Sequence, residues 1–397
     1  MPQPVTTING TSKEVHRIIG HIKGEAPGPT VVFFGGIHGN EPAGVKALQN
    51  VFSQMEDGSG HFSGEFFGIA GNLSALPIDA RFIDEDLNRI WFPHRMESLS
   101  SPKPSRSIEE KEMLSLHTLI NQILETASPP FYFIDLHTTS GETEPFIVMN
   151  DSLLNRRFTR NFPLPSILGI EEYLTGALLS YINDLGYVAF GFESGQHEDI
   201  KAIVNAENFI WYTLGLTGYC SMRKQELKTL RMKLNKSRTP KRFFEIYYQY
   251  LIKEGEEFEM LPGFINFQTV PKGTTISIAQ GTSITTEKSR QLFMPLYQDK
   301  GYEGFYFIRS IPYFFLWLSK YLRKLRFDDF LALLPGVKWA SAKKDALYVD
   351  KRIARFFAKS FFHLLGYRTR EMDKTHLVLK NRERNSKATD YQKAPWQ

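Results

Sequence analysis

The chain has 397 residues, enough for two or three domains, and 42% of them are hydrophobic, which excludes a wholly disordered protein. Its single cysteine, Cys220, excludes an internal disulfide framework and a zinc site made of thiolates alone. No signal peptide is visible, and the apolar run at residues 311–318 is too short to span a bilayer. We therefore expect a soluble, cytoplasmic protein with at most peripheral membrane contact.

Positive charge is concentrated in the last part of the chain. Residues 311–397 contain 19 Lys and Arg against 8 Asp and Glu, a net charge of +11. Because the whole chain has a net charge of +5, the residues before 311 have a net charge of −6. The basicity thus belongs to a tail, and with no recognisable nucleic-acid-binding motif we expect no nucleic-acid partner.

Predicted strands and helices alternate up to about residue 225. Apolar runs predict strands at 14–24, 30–37, 65–76, 129–141 and 187–199. Helical spacing of apolar residues predicts helices at 42–55, 108–127, 171–186 and 201–219. This alternation predicts an α/β fold with a mostly parallel or mixed central sheet flanked by helices. We assign residues 1–225 to this domain.

The pattern changes after residue 225. Short β-rich segments and turns predict a small β-domain over residues 226–310. Residues 311–334 have the pattern of a basic, aromatic-rich amphipathic helix, and a second helix is predicted at 352–366. A hairpin is predicted at 369–383, and the polar last residues are expected to fray. Residues 311–397 are therefore predicted to be a basic, mainly helical extension, through which the chain could form a homo-oligomer.

Polar residues follow three of the predicted strands, and ligands in α/β folds bind at the carboxyl ends of strands. His38 and Glu41 lie in GGIHGNE after one strand, and His137 lies in DLHTTSG after another. Two histidines and a glutamate form a catalytic zinc set that leaves a position for water. Either motif alone more often marks an exposed loop, but their shared place at one end of the sheet favours a zinc site.

The segment DARFIDEDLNR adds candidates for the surroundings of the metal. Asp86 could accept the second N–H of a zinc-bound imidazole. Asn88 and Arg89 could hold a substrate carboxylate, and Arg81 could stabilise a developing oxyanion. The alternative for this segment is a solvated charged loop.

Glu193 follows the third strand in GFESGQHE. A carboxylate that faces a zinc-bound water can take its proton and later protonate the leaving nitrogen. Asp135 could support His137 from behind or be an ordinary residue at a strand end. His197 and Glu198 have no ligand spacing, so we expect them to be exposed.

In order, the motifs GGIHGNE, GNLSAL, DLNR, DLHTTSG and GFESGQ resemble the succinylglutamate desuccinylase/aspartoacylase family. These are zinc amidohydrolases related to metallocarboxypeptidases, and the resemblance covers about residues 14–310. It implies one zinc ion per chain on His38, Glu41 and His137. The other roles that it implies are general base and acid for Glu193, carbonyl-oxygen binding for Arg81, substrate-carboxylate binding for Asn88 and Arg89, and support of a zinc-bound histidine for Asp86.

The sequence departs from this family in two places. The family has a substrate-binding Arg shortly before the catalytic Glu, whereas residues 181–193 here contain Asn183 and Asp184 and no basic residue. This departure weakens the indication of an acidic amino acid as substrate. The resemblance also implies a substrate-binding tyrosine in the β-domain, for which Tyr302 is our choice and Tyr297 the competitor. The family offers no account of residues 311–397.

The function predicted from these features is zinc-dependent hydrolysis of a linear amide, specifically deacylation of a small N-acyl amino acid with a free carboxylate. The first alternative is cleavage of a peptide or peptide-like amide in the manner of a metallocarboxypeptidase. An alternative of another class is a membrane-surface or partner-binding protein that acts through the basic C-terminal helices. Basic helices of soluble proteins more often pack their apolar face against a core or a second chain, and we favour that interpretation.

Overall fold

A computed structural model describes residues 15–56, 60–98, 105–235, 239–333, 335–340, 344–350, 364–371 and 376–397. The first strands are β1 (Ile18–Lys23), β2 (Ala26–Gly35), β3 (Ser63–Ala70), β4 (Phe131–Thr139), β5 (Phe146–Met149), β6 (Ser166–Leu168), β7 (Val188–Gln196) and β8 (Phe243–Leu251). They are followed by β9 (Phe258–Met260), β10 (Thr269–Val270), β11 (Thr275–Ala279), β12 (Thr282–Thr285), β13 (Arg290–Phe293), β14 (Glu303–Ser310), β15 (Val337–Trp339), β16 (Ala346–Asp350), β17 (Tyr367–Glu371) and β18 (His376–Asn381). The helices are α1 (Ala43–Glu56), α2 (Pro93–Ser98), α3 (Ile108–Thr126), α4 (Leu153–Thr159), α5 (Leu178–Asp184), α6 (Ile200–Thr217), α7 (Lys224–Leu234) and α8 (Tyr313–Lys324).

A large mixed sheet forms the centre of the molecule, with the strand order β1-β3-β2-β4-β7-β5-β6-β8-β14-β13-β10. Strands β3, β2, β4 and β7 are parallel neighbours, and β1 and β5 pair antiparallel with this group. Successive side chains of β2 point to opposite faces, so that Phe33 packs in a core with α1 and α6, and Phe34 in a core with α3 and α5. The predicted α/β fold with a mixed central sheet flanked by helices is confirmed.

The segment predicted as a small β-domain is rich in strands, as expected, but part of it extends the central sheet. Strand β8 pairs in parallel with β6, and β14, β13 and β10 continue the sheet from there. The separate part is a three-stranded sheet in the order β12-β11-β9. Hydrogen bonds therefore cross the predicted boundary near residue 226, and the division into domains stays a prediction.

The helix predicted at 171–186 is shorter than expected, because α5 begins only at Leu178. Gly176 precedes it with a φ of +72°, a conformation that L side chains rarely adopt. A Cβ at this position would also lie 2.2 Å from the carbonyl oxygen of Arg89. The chain must therefore pass close to the loop of Arg89 before the helix can start.

The C-terminal extension combines helix and sheet. Helix α8 ends at Lys324, and a 3₁₀ turn follows at Phe327–Leu333. Strands β15, β16, β18 and β17 form a separate four-stranded sheet, which confirms the predicted hairpin. The helix predicted at 352–366 lies almost wholly outside the described residues. None of the described helices has both the length and the apolar character needed to cross a bilayer.

The prediction that the last residues fray is wrong. Tyr391 is fully buried, and its hydroxyl accepts a hydrogen bond from the backbone N–H of Val188 at 3.0 Å. The indole Nε1 of Trp396 donates to the Tyr132 hydroxyl at 2.8 Å. Both aromatic rings join the core that contains α1 and α6. Two aromatic anchors thus fix a segment whose polar composition suggested disorder.

Candidate active site

The parallel strands bring the predicted site residues to one edge of the sheet. Gly35 of β2 pairs with Leu136 of β4, and His137 of β4 pairs with Glu193 of β7. The chain turns after β2 at Gly36, whose φ of +70° favours glycine, and then leads to His38. Residues distant in sequence therefore meet where β2, β4 and β7 end.

His38, Glu41 and His137 form a compact and buried group, as predicted. Their potential ligand atoms all lie within 4.8 Å of one another. The Nδ1 atom of His38 lies 2.8 Å from Oε1 of Glu41, and Nδ1 of His137 lies 3.0 Å from Oε2 of the same carboxylate. Two imidazole nitrogens and a carboxylate are a donor set typical of zinc.

A second carboxylate lies behind each histidine. Asp86 Oδ1 is 3.1 Å from Nε2 of His38, and Asp135 Oδ2 is 2.6 Å from Nε2 of His137. These contacts fix the ring orientation and leave Nδ1 to face Glu41. Asp86 therefore lies where it was predicted. Of the two interpretations of Asp135, the structure favours contact with the ring of His137 from behind over an ordinary residue at a strand end.

The charges of the group suit a bound cation. Burial alone would raise the pKa of Glu41, but His38 and His137 outweigh burial and hold this pKa well below its usual range. Burial would lower the pKa of His137, but Asp135 and Glu41 raise it well above its usual range. Without a metal, positive charge on imidazole thus compensates the buried carboxylates. A divalent cation would supply that compensation after displacing the proton, so the residues fit zinc.

Glu193 is buried beside this group. Its Oε2 has no hydrogen-bond partner among the described residues, and the side chain lines a cavity next to the histidines. Burial, with smaller contributions from Glu41 and Asp135, raises the pKa of Glu193 to about 8, although His137 acts in the opposite direction. A buried carboxyl group with a raised pKa next to a cavity is suited to proton transfer.

Three more of the predicted site residues, Arg81, Asn88 and Arg89, also line the cavity. Arg81 donates from Nε and Nη2 to Oδ2 of Asp86 at 3.3 and 3.1 Å, which orients its guanidinium group. The side-chain oxygen of Asn88 accepts from the backbone N–H of Leu178 at 3.0 Å. Arg89 has a buried Nε without a hydrogen-bond partner among the described residues. The loop is therefore part of the site and not a solvated surface segment.

Glu303, which the sequence did not indicate, pairs with Arg89. Its Oε1 lies 3.4 Å from Nη2 of Arg89, and both residues line the cavity. Burial would lower the pKa of Arg89, but Asp86 and Glu303 raise it. The positive charge of Arg89 is therefore partly compensated within the protein.

The choice of Tyr302 as a substrate-binding residue is wrong. Tyr302 is 51% exposed and does not line the cavity, whereas Tyr306 is buried and does. Tyr297 is also outside, and its hydroxyl donates to the carbonyl oxygen of Leu261 at 2.7 Å. Strand β14 has a register shift just after Glu303, so the spacing in the sequence did not show which tyrosine points inward.

His197 also lies in the cavity, contrary to expectation, whereas Glu198 is exposed as predicted. The backbone N–H of His197 donates to the carbonyl oxygen of Thr139 at 3.0 Å, which folds the residue back over the site. Its Nδ1 lies 2.8 Å from Oγ1 of Thr138, and its Nε2 lies 3.1 Å from Oε1 of Gln298.

The remaining wall of the cavity, which encloses about 130 Å³, is largely apolar. Glu171 is a polar exception with an Oε2 that has no partner among the described residues, while its Oε1 accepts from Nε of Arg382 at 2.6 Å. The apolar lining residues are Val148, Met149, Ile170, Leu174, Ala177, Leu179, Ala189, Met294, Pro295 and Leu296. The space beside the histidines thus suits a small molecule with an apolar part.

Residues 27–202 match a family model described as the succinylglutamate desuccinylase/aspartoacylase catalytic domain. The chain is 27% identical over 295 residues to the succinylglutamate desuccinylase of Photorhabdus laumondii. This match covers 68% of this chain and 82% of that protein. The matched domain includes the candidate metal ligands and Glu193 but not Glu303 or Tyr306.

The fold is also similar to solved structures. The succinylglutamate desuccinylase/aspartoacylase from Rhodobacter sphaeroides has a TM-score of 0.53 and 18% identity, with 74% of this chain and 88% of that chain covered. The product-bound ectoine utilization protein EutE (DoeB) from Ruegeria pomeroyi has a TM-score of 0.52 and 16% identity, with the same coverage of 74% and 88%. At these identities the similarity shows a shared fold.

Proposed function

We propose that the protein hydrolyses a linear amide, because residues 27–202 match the catalytic-domain model of the succinylglutamate desuccinylase/aspartoacylase family. The proposed reaction is removal of the acyl group from a small N-acyl amino acid with a free carboxylate. The observation that supports it most is the convergence of His38, Glu41 and His137 beside Oε2 of Glu193, for which the described residues offer no hydrogen-bond partner. We place the reaction in the cytoplasm, in agreement with the single free thiol of Cys220.

The proposed cofactor is one zinc ion per chain, held by His38, Glu41 and His137. When bound, zinc lowers the pKa of a water molecule and polarises the carbonyl group of the substrate. The chain supplies buried ligands and two supporting carboxylates, Asp86 and Asp135. These contacts keep both imidazole rings in one orientation before the metal arrives.

Glu193 is the proposed general base and acid. Its Oε2, which has no hydrogen-bond partner in the described part of the chain, is available to take a proton from the attacking water, and the same group can then protonate the leaving nitrogen. Arg81 is proposed at the carbonyl oxygen, where its guanidinium group would stabilise the negative charge that develops. The contact with Asp86 holds Arg81 in place for this role.

Asn88 and Arg89 are proposed to bind the substrate carboxylate. The buried Nε of Arg89 remains available for a hydrogen bond, and its Nη2 faces Glu303. Because Glu303 already compensates part of its charge, Arg89 would bind a second negatively charged group of the substrate less favourably than an arginine without such a partner would. Together with the apolar wall, this favours an uncharged acyl group on the substrate.

Metal analysis and a deacylation screen test the proposal. Purified protein should take up one zinc ion per chain, lose activity when a chelator removes the metal, and regain it with added zinc. The screen should contain N-acetyl, N-succinyl and longer N-acyl amino acids beside peptides with free C-termini. A chain that takes up no zinc would contradict the metal site, and cleavage of the peptides alone would favour the metallocarboxypeptidase-like alternative.

Asp86→Asn is expected to weaken zinc binding by about 10–100-fold, because the charged acceptor behind His38 is lost. A competition titration against a chelating dye measures the effect. Asp84→Asn is the matched control, since Asp84 lies two residues away, is exposed, and accepts from the backbone of Ile108. Equal zinc affinities in the two variants would show that Asp86 does not support the metal ligand.

Glu303→Gln is expected to lower KM for carboxylate-bearing substrates by about fivefold, or about 1 kcal/mol, with little change in kcat. The reason is that Arg89 loses its internal negative partner. Steady-state kinetics separates the two parameters. The control is Glu245→Gln, which removes a Glu–Arg pair between β8 and β14 but outside the cavity. An unchanged KM in Glu303→Gln would argue that Arg89 does not contact the substrate.

A further inference from the structure

Helix α8 has its polar side buried and its aromatic side exposed. Ser319 and Arg323 are its buried residues. A surface helix of a globular protein normally turns its apolar stripe toward the core. The exposed large side chains of this helix are Tyr313 at 80%, Phe314 at 60%, Phe315 at 50%, Trp317 at 45% and Tyr321 at 45%. The prediction was that this helix packs its apolar face against a core or a second chain; packing against a core of its own chain is wrong, and packing against a second chain stays a prediction.

Buried polar contacts fix this orientation. The side chain of Arg323 is 0% exposed, and its Nη2 lies 2.7 Å from Oδ2 of Asp151. Its Nη1 donates to the backbone oxygen of Asp151 at 2.9 Å, and Oγ of Ser319 donates to the carbonyl oxygen of Leu364 at 2.7 Å. Turning the helix to bury its aromatic side would leave the arginine and the aspartate without these partners, which is costly. The aromatic side chains are thus held outward.

The exposed apolar surface continues beyond the helix. In the following turn Leu325 is 74% exposed, Phe330 61% and Leu333 81%. We call the exposed large side chains of residues 313–333 the aromatic ridge. Contiguous apolar surface of this kind usually marks an interaction site.

A basic groove lies directly beside the aromatic ridge and encloses about 750 Å³. Phe243, Ile311, Leu316 and Trp317 contribute apolar surface to it. Its basic lining residues are Arg156, Arg157, Arg160, Lys241, Arg242, Lys320 and Lys324, and no acidic residue is among the described residues that line it. Arg156 pairs with Asp151, and the other six cations remain to give the groove a positive potential.

We propose that the aromatic ridge and the basic groove together dock on the anionic surface of a lipid bilayer. Tryptophan and tyrosine side chains favour the boundary between lipid headgroups and acyl chains, and lysine and arginine attract anionic headgroups. The apolar surface in the groove suits the first part of an acyl chain. Contact of this kind needs no spanning helix, since an amphipathic helix binds in the plane of the interface.

Charge argues against a second copy of the chain as the occupant. A symmetric dimer through this surface would bring identical patches together. The six groove cations of each copy would then lie in one shared interface, and residues 311–397 have a net charge of +11. Like charges at such close range oppose association, whereas an anionic bilayer compensates them.

Flotation of the full-length protein with vesicles tests the proposal. One set of vesicles contains phosphatidylcholine alone, and the other an equimolar mixture of phosphatidylcholine and phosphatidylglycerol. We expect binding to the anionic vesicles, weaker binding as salt rises, and no more than trace binding to the neutral ones. Absence of binding to the anionic vesicles, or equal binding to both sets, would overturn the proposal.

Two double variants locate the surface. Phe314→Ala with Trp317→Ala removes exposed ring area, and Lys320→Glu with Lys324→Glu reverses two groove charges. Each pair is expected to weaken vesicle binding by about tenfold or more, with an unchanged melting temperature. Controls of the same chemistry are Tyr248→Ala, and Lys272→Glu with Lys288→Glu, all exposed residues of the β-rich region.

Sedimentation velocity on the same proteins tests whether a second copy of the chain occupies this surface instead of a bilayer. We expect the two double variants to sediment like the wild-type chain. If instead they dissociate a wild-type dimer and leave vesicle binding unchanged, the surface is an interface between two copies and the membrane proposal is wrong. Deacylation of soluble substrates is independent of this result, because none of the substituted side chains lines the catalytic cavity.

Discussion

Glu193→Gln is expected to reduce turnover by about 10²–10⁴-fold while the zinc content stays unchanged. The substitution keeps the shape of the side chain but removes the group that takes and returns the proton. Because Glu193 is not among the residues that would hold the metal, its loss should not affect zinc uptake. Turnover of the best substrate from the deacylation screen, together with metal analysis, measures both expectations.

The stability of this variant separates catalysis from folding. Oε2 of Glu193 is buried without a partner among the described residues, and burial disfavours its charged form. A neutral amide should therefore be tolerated, and the melting temperature should not fall. Glu198→Gln is the matched control, since Glu198 is exposed at the end of the same segment. Full turnover in Glu193→Gln, or equal losses in both variants, would contradict the assigned role.

The cluster of candidate metal ligands could be predicted because it follows from local motifs and a topological rule. His38 comes directly after β2, and His137 lies near the end of β4. These strands are parallel neighbours, so their carboxyl ends lie at the same edge of the sheet. Strand patterns in the sequence were sufficient to place the two histidines together, and the spacing between His38 and Glu41 supplied the third candidate ligand.

Other parts of the cavity come from segments whose pairing the sequence does not show. Glu303 reaches Arg89 across 214 positions, through a strand with a register shift. The apolar wall draws on β5, the segment between β6 and α5, and the segment after β13, which are short and have no clear periodic pattern. A register shift decides which side chain points inward, and only the folded sheet fixes it.

The orientation of α8 could not be predicted for a related reason. Its amphipathic pattern was recognised, but periodicity reports that two faces differ and not which one is buried. The deciding residue is Arg323, whose partners Asp151 and Glu383 lie 172 and 60 positions away. Polar contacts between residues so far apart in the sequence produce no recognisable pattern in the sequence around either residue. The same holds for Tyr391, whose partner Val188 lies 203 positions away.

Asp151→Asn is expected to lower the free energy of unfolding by about 3–5 kcal/mol, because it removes a negative charge that three buried arginines share. Oδ2 of Asp151 lies 2.7 Å from Nη2 of Arg156 and 2.7 Å from Nη2 of Arg323, and 4.0 Å from Nη1 of Arg382. Urea denaturation at neutral pH measures the loss. Asp184→Asn is the control, since Asp184 pairs with Lys380 at the surface and its loss should cost less than about 1 kcal/mol.

The pH dependence of the same two proteins tests the electrostatic origin of this loss. Burial would raise the pKa of Asp151, but Arg156, Arg323 and Arg382 outweigh it and hold the pKa far below its usual range. The ionised carboxylate therefore stabilises the fold fully above the pKa of about 3.9 in the unfolded chain, and the contribution declines as pH falls below that value. The stability difference between wild type and Asp151→Asn should shrink in the same range. A difference that stays constant down to the lowest pH would mean that the substitution acts through packing, and the aspartate would then not anchor α8 by its charge.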